Sequence, residues 1–397
     1  AQRVIEHFVS PVDAIESVSV REALDRVLAS DLISTIDVPA HDNSAMDGYA
    51  VRAADLANNA DTPLAVIGTA TAGRPLDAKV GPGQAVRIMT GAVMPEGTDT
   101  VVVQEIARTE GQTVHIPAGQ EPGQNRRLRG EDLSYGKPAI LAGKRLTPAD
   151  IGLIASLGVA EVPVRRRLRV AFFSTGDELR SIGQALGPGQ IYDSNRYTLH
   201  SMLRRLGVEL IDMGVVADDP QALENAMRIA GESADAIISS GGVSVGEADF
   251  TRDVMAKLGE VAFWTIGMRP GRPMAFGRIG NACYFGLPGN PVAVMITFYF
   301  FAREALLRMM GSSPSSLPYV RACSNAAIRK KPGRTEYQRG VLSTAKDGTM
   351  QVRLTGGQGS GVLRSMSEAN CIIVLHHEQG SVAAGDWVDC LAFEGLI

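Results

Sequence analysis

The sequence predicts a multidomain fold: a central, mostly parallel α/β sheet domain, an inserted small β domain, a helical and extended connecting domain, and a C-terminal β-barrel-like domain. Three observations point there. Residues 167–310 alternate apolar strand-like runs with helical stretches, the pattern of a parallel sheet covered on both faces. Residues 42–131 and 319–397 instead break into short Val-rich runs separated by Gly and Pro, as small β domains do. At 397 residues, the chain is also too long for one ordinary core.

The elements follow in order. DAIESVSVREALDRVLASDL, within 11–34, reads as helical at its centre. LAVIGTA (64–70), QAVRIMTG (84–91) and DTVVVQEIA (99–107) read as strands, and PAGQEPGQN (117–125) as a loop. LTPADIGLIASLG (146–158) carries a helix signature: Thr147 to cap, Pro148 at the first position and Gly158 to stop it. The expected boundaries are therefore 1–41 and 132–166 for the connecting domain and 42–131 for the insertion. The α/β domain takes 167–315 and the C-terminal β domain 316–397. Within the α/β domain, RLRVAFFST (167–175), GVELIDMGVV (207–216), ADAIISSGG (234–242), VAFWTIGM (261–268), PMAFGRI (273–279) and ACYFGLPG (282–289) are strand candidates. Helices are expected at 194–206, 219–230, 249–259 and near 290–310.

Composition excludes several function classes. A net charge of −4 gives no bulk attraction to nucleic acid or to an anionic membrane. VAVMITFYFFA (292–302) is too short for a membrane span, which needs about 20 apolar residues, and Arg303 and Glu304 follow it. Residues 1–20 lack a basic start followed by an apolar block, so no export signal is expected there. The four cysteines, Cys283, Cys323, Cys371 and Cys390, fit no metal spacing. Such sparse use suits a reducing cytoplasm.

Open parallel sheets bind ligands beyond the carboxyl ends of their strands, and three loops there are chemically loaded. They are STGDEL (174–179), SSGGVSVGEADF (239–250) and GLPGNP (286–291). In the second, Ser240, Gly241, Gly242 and Ser244 combine hydroxyls with glycines that let backbone N–H groups approach a phosphate. It matches neither GxGxxG nor a P-loop, and the glycines alone read equally as a tight turn. The acids Asp177, Glu178, Asp218, Asp219, Glu247 and Asp249 crowd the same edge. Beside a phosphate they would repel it unless Mg²⁺ bridged the two. Asp219 and Asp249 also stand where helix caps are expected. In RPGRP (269–273), Arg269 and Arg272 suit an oxyanion, or a solvated turn.

DNSAMDGYAV (42–51), RIMTGAVMPEG (87–97), RRLRGED (126–132), FSTGDEL (173–179), IYDSN (191–195), SSGGVSVGEADF, PGRP and GLPGNP occur in this order. With KPGRTEYQRG (331–340) and TGGQGS (355–360), they closely resemble the molybdopterin molybdenumtransferase family, which includes the E domain of gephyrin. The resemblance implies a homodimer of elongated four-domain subunits acting on adenylylated molybdopterin, a small-molecule pterin. It implies Mg²⁺-dependent cleavage of the pterin–AMP anhydride and entry of molybdate into the dithiolene. The partner's inserted domain would close the cleft, and other cofactor-biosynthesis proteins could dock.

Carried over by position, Asp47, Thr90, Asp132, Glu178 and Asp249 are the catalytic candidates, and Glu178, Asp218 and Asp249 the metal ligands. Asp218 also joins Ser240, Gly241, Gly242, Ser244, Arg269, Arg272, Pro288 and Pro291 as substrate-binding candidates. Arg339 and Ser360 match positions tied to molybdate. One departure is Thr265, where many members carry a lysine; the preference between molybdate and tungstate stays open there. Two other readings remain: a pterin-binding scaffold that kept the fold, and the related adenylyltransferase step, against which the extra domains count.

Overall fold

A computed structural model describes residues 1–242, 250–313, 317–394 and 396. The α/β domain is organised by a six-stranded sheet. Its order is Glu209–Val216, Arg169–Thr175, Ala236–Ser240, Ala282–Leu287, Pro273–Ile279 and Gly259–Thr265. The first four are mutually parallel and the last two antiparallel. Arg169–Thr175 shows why such strands read as unbroken apolar runs. Val170 and Phe172 enter one core with the Ser194–Leu206 and Pro291–Thr297 helices, while Ala171 and Phe173 enter another with the Pro220–Ser233 and Phe250–Leu258 helices. Both faces are buried, so nothing polar is required on either.

The inserted domain is a second six-stranded sheet. Its order is Thr100–Val103, Gly48–Val51, Gln84–Ile88, Thr62–Ala70, Thr113–Ile116 and Arg108–Glu110. It leaves the rest of the chain through a narrow neck in which Asn43–Ser44 pairs with Arg126–Arg127. Asp42 braces that neck, accepting from Arg126 Nε at 2.9 Å and from the Arg129 N–H at 2.7 Å.

The expected helix within 11–34 is not there. Ile15–Ser19 is a strand, paired with Glu161–Arg165, and only Val20–Glu22 forms a short 3₁₀ turn. Its β-branched residues find a partner strand far away in sequence, and tertiary pairing overrides a weak local helical preference. The second expected helix stands as Pro148–Ser156. Thr147 and Asp150 form a reciprocal capping box, and Pro148 opens the helix.

Five C-terminal strands close into a barrel. Val320–Ser324, Thr335–Thr344, Met350–Leu354, Cys371–Leu375 and Trp387–Ala392 pair round a ring. Closure removes exposed edges. Several contacts bind the barrel to the α/β domain. Met268–Arg269 joins Thr335–Glu336 in parallel. The long helical segment near 290–310 contains a π-helical turn, Phe298–Ala302, from which Phe300 stacks on Tyr337 at 4.0 Å between ring centroids. Among the described residues no helix is long and apolar enough to cross a membrane.

Candidate functional site

The sheet's carboxyl edge gathers the glycine and acid candidates. Arg169–Thr175 and Ala236–Ser240 run side by side, so STGDEL and SSGG emerge together. Gly241 (φ +92°) and Gly242 (φ +68°) turn in the left-handed region. A Cβ on Gly241 would lie 2.3 Å from the Thr175 carbonyl oxygen, and one on Gly242 2.6 Å from the Thr251 hydroxyl. Only glycine fits either place. Ser244, Glu247 and Asp249 lie outside the described residues.

Three of the acids are neighbours. The Asp218 N–H reaches Asp177 Oδ1 at 3.4 Å. Partial desolvation, and then the charges of Asp177 and Glu178, push the Asp218 carboxyl above the usual carboxylate range. All three side chains face solvent, so water screens much of this repulsion. Asp219 is a helix cap, accepting from the N–H groups of Gln221 and Ala222. Among the described residues no three acidic, histidine or cysteine side chains already form a metal cage. Two hard oxygen donors, Glu178 and Asp218, beside the Gly241–Gly242 turn instead fit a cation that shares its coordination with phosphate oxygens.

The third loop ties this edge to the barrel. Pro288 is buried, and Pro291 opens the Pro291–Thr297 helix. The Val292 N–H donates to the Ser360 carbonyl at 3.0 Å, which places TGGQGS against GLPGNP. Beside it lies a cavity of about 240 Å³ lined by Arg269, Arg329, Glu336, Gln338, Arg339 and Gln358.

Arg339 is only 1% exposed. It donates to Ser365 Oγ at 3.0 Å and to the carbonyls of Gly357 and Gly359 at 3.2 and 2.9 Å. These acceptors are all neutral. Burial, with the charge of Arg269 added, pushes its pKa down to about 10, so it stays cationic near neutrality. Gln358 positions this residue by accepting from its N–H and donating to its carbonyl. Arg269 and Arg272 are exposed, as is Thr265, which pairs with Pro273 at the sheet margin.

Among the described residues, the remaining candidates find their hydrogen-bond partners elsewhere. Thr90 donates to Asp47 Oδ1 from both its N–H and its hydroxyl, each at 2.7 Å. These bonds, the backbone one first, hold the Asp47 carboxyl below its usual range. The pair sits on the inserted domain. Asp132 is exposed near the neck, with its N–H on the Val38 carbonyl.

Two residues of IYDSN received no role from the sequence. Asp193 is 2% exposed and caps the Ser194–Leu206 helix, and Asn195, 9% exposed, lies in its first turn. The available signal was a polar trio opening a helical stretch, which reads as an ordinary cap.

Known proteins resemble this chain along most of its length. Residues 1–158 match the MoeA N-terminal region (domains I and II). Residues 171–308 match a probable molybdopterin binding domain, and 321–393 the MoeA C-terminal region (domain IV). A molybdopterin molybdenumtransferase of Haemophilus influenzae is 43% identical over 384 residues, covering 96% of this chain and 95% of that one. One from Nostoc is 39% identical over 93% of this chain and 87% of that one. The crystal structure of a molybdopterin biosynthesis moeA protein from Pyrococcus horikoshii superimposes with a TM-score of 0.85 at 27% identity, over 99% of this chain and 98% of that one.

Proposed function

Because the chain belongs to the molybdopterin molybdenumtransferase family, we propose that it inserts molybdate into adenylylated molybdopterin with Mg²⁺-dependent release of AMP. It is a transferase of molybdenum cofactor biosynthesis. The observation that carries the finer reading is one loop with two neighbours. GLPGNP meets the Gly241–Gly242 turn on one side, and Val292, the residue after it, bonds Ser360 of the TGGQGS loop, whose Gln358 lines the arginine cavity.

Each part has a task. The Gly242 backbone N–H holds a phosphate oxygen without adding charge, while the Gly241 N–H is kept by the Leu287 carbonyl and fixes the turn. Arg339 and Arg269 offer fixed N–H donors to molybdate, the substrate oxyanion. Glu178 and Asp218 hold Mg²⁺, together with Asp249 if it joins them. Bound Mg²⁺ offsets negative charge on the anhydride. Asp47, kept ionised by Thr90, acts on the same group from another subunit. Its hydrogen bonds stay within the inserted domain, and a homodimer lets the partner's insertion reach the cleft. The free cysteines, three of them buried, suit a cytoplasmic location.

The test supplies adenylylated molybdopterin, molybdate and Mg²⁺ and follows AMP and active cofactor. Both should appear, and only with the metal ion present. Tight pterin binding without AMP release would favour a scaffold instead. Mixing two impaired variants, Asp47→Ala and Asp218→Asn, should raise turnover well above either alone if sites are shared between subunits. Mixtures no more active than either alone would remove the partner from the site.

A further inference from the structure

Resting on the transferase reading, we propose that Asn195 is a positioning residue that sets the spacing between the glycine cradle and the GLPGNP loop. Its Nδ2 donates to Ser240 Oγ at 2.9 Å and to the Gly289 carbonyl at 2.6 Å. The Gly289 oxygen can only accept, so the amide orientation is set. The Ser240 hydroxyl in turn donates to the Pro288 carbonyl at 3.3 Å, and the Gly241 N–H donates to the Leu287 carbonyl at 3.2 Å. Two residues earlier, Asp193 Oδ1 accepts from Ser174 Oγ and from the Arg196 N–H, both at 3.1 Å. The start of one helix therefore touches all three loops, at Ser174, at Ser240 and at Gly289.

A merely structural position would not be built this way. Asn195 Oδ1 and Asp193 Oδ2 are buried without a hydrogen-bond partner among the described residues. Each is a cost that an apolar residue would shed. What an apolar residue cannot supply is the forked donor joining two loops from opposite sides. Gly289 lies next to Gly241: an added Cβ would make ordinary contact with the Gly241 Cα at 3.8 Å. Losing the fork lets the loop lift away from the cradle while the sheet beneath stays whole.

Asn195→Asp is nearly isosteric but sets an acceptor against the Gly289 carbonyl. Amide hydrogen exchange at Gly289, Asn290 and Val292 should speed up. The KM for adenylylated molybdopterin should rise about tenfold, the equivalent of one net hydrogen bond, with kcat changing far less. Lowering the pH should reverse both effects, with exchange expressed as protection relative to the intrinsic rate at each pH, because a protonated carboxyl regains a donor; the parent protein's protection and KM should show no such recovery. Unchanged exchange and KM in a folded Asn195→Asp protein would overturn the proposal, as would a kcat loss at constant KM. If that variant does not fold, Ser240→Ala must speed exchange at the same amides, and unaltered exchange there overturns it too. Exchange needs no substrate. If the parent protein releases no AMP, the transferase reading fails and the bracket is still judged.

Discussion

The acid edge of the sheet and the arginine cavity beside the barrel solve opposite problems. At the edge, Asp177, Glu178 and Asp218 are exposed and repel one another. Water relieves much of that, so the cluster is cheap to keep and available to a cation. In the cavity, Arg339 is enclosed and its charge meets neutral oxygens alone. Water cannot relieve it, so its setting must be rigid, and Gln358 and two glycine carbonyls provide that. On the proposed function, the difference teaches how an enzyme would prepare one place for a metal ion and another for an oxyanion. Flexible hydrated acids suit an ion that brings its own water. A fixed buried fork suits a tetrahedral anion that must shed its water.

The comparison can be broken from the cavity side first. Arg339→Lys keeps the charge but not the fork, and should lower molybdate-dependent turnover about 10²–10³-fold, in the range of other preorganised oxyanion donors. It should also cost about 2–4 kcal/mol in a denaturant titration, because buried carbonyls lose their partners. A variant with full turnover at low molybdate would exclude the cavity from the reaction.

Asp218→Asn should cut turnover about 10²-fold with no loss of stability. The sign follows from its raised pKa. Ionising Asp218 costs the folded state, so its favourable contribution is present below the ordinary value of 3.8 and is lost as pH rises through the raised folded value. At pH 7 the neutral amide removes that loss, and the melting temperature should hold or rise. A fall would show the carboxylate to be a structural partner instead.

Smaller effects sharpen the contrast. Thr90→Val deletes one of two donors to Asp47, and turnover should drop roughly tenfold, again about one hydrogen bond. Thr147→Ala belongs to neither region. It should cost about 1 kcal/mol of stability through the lost helix cap and leave kcat unchanged. Altered kcat there would mean that global stability, not the site, governs the other results.

Much of this was legible before any fold was seen. Arg169–Thr175 announced a strand buried on both faces because none of its central side chains is polar. Thr147, Pro148 and Asp150 announced a helix start because capping is local chemistry. The helix expected within 11–34 failed for the converse reason: the partner of Ile15–Ser19 is 142 or more residues away, at Glu161–Arg165. Arg339 was read from its motif, but its burial was not, since an arginine in a β-rich segment is ordinarily at the surface.

By itself, then, the sequence determined the strand–helix alternation, the glycines where only glycine fits, the three loaded loops and the family. These depend on residue type and short spacing, which a linear string records. The tertiary structure alone decided that Asn195 joins Ser240 to Gly289, that Ser360 meets Val292, and that Thr90 holds Asp47. Such contacts arise when distant segments share one packed core, and their distances do not exist until that core has formed.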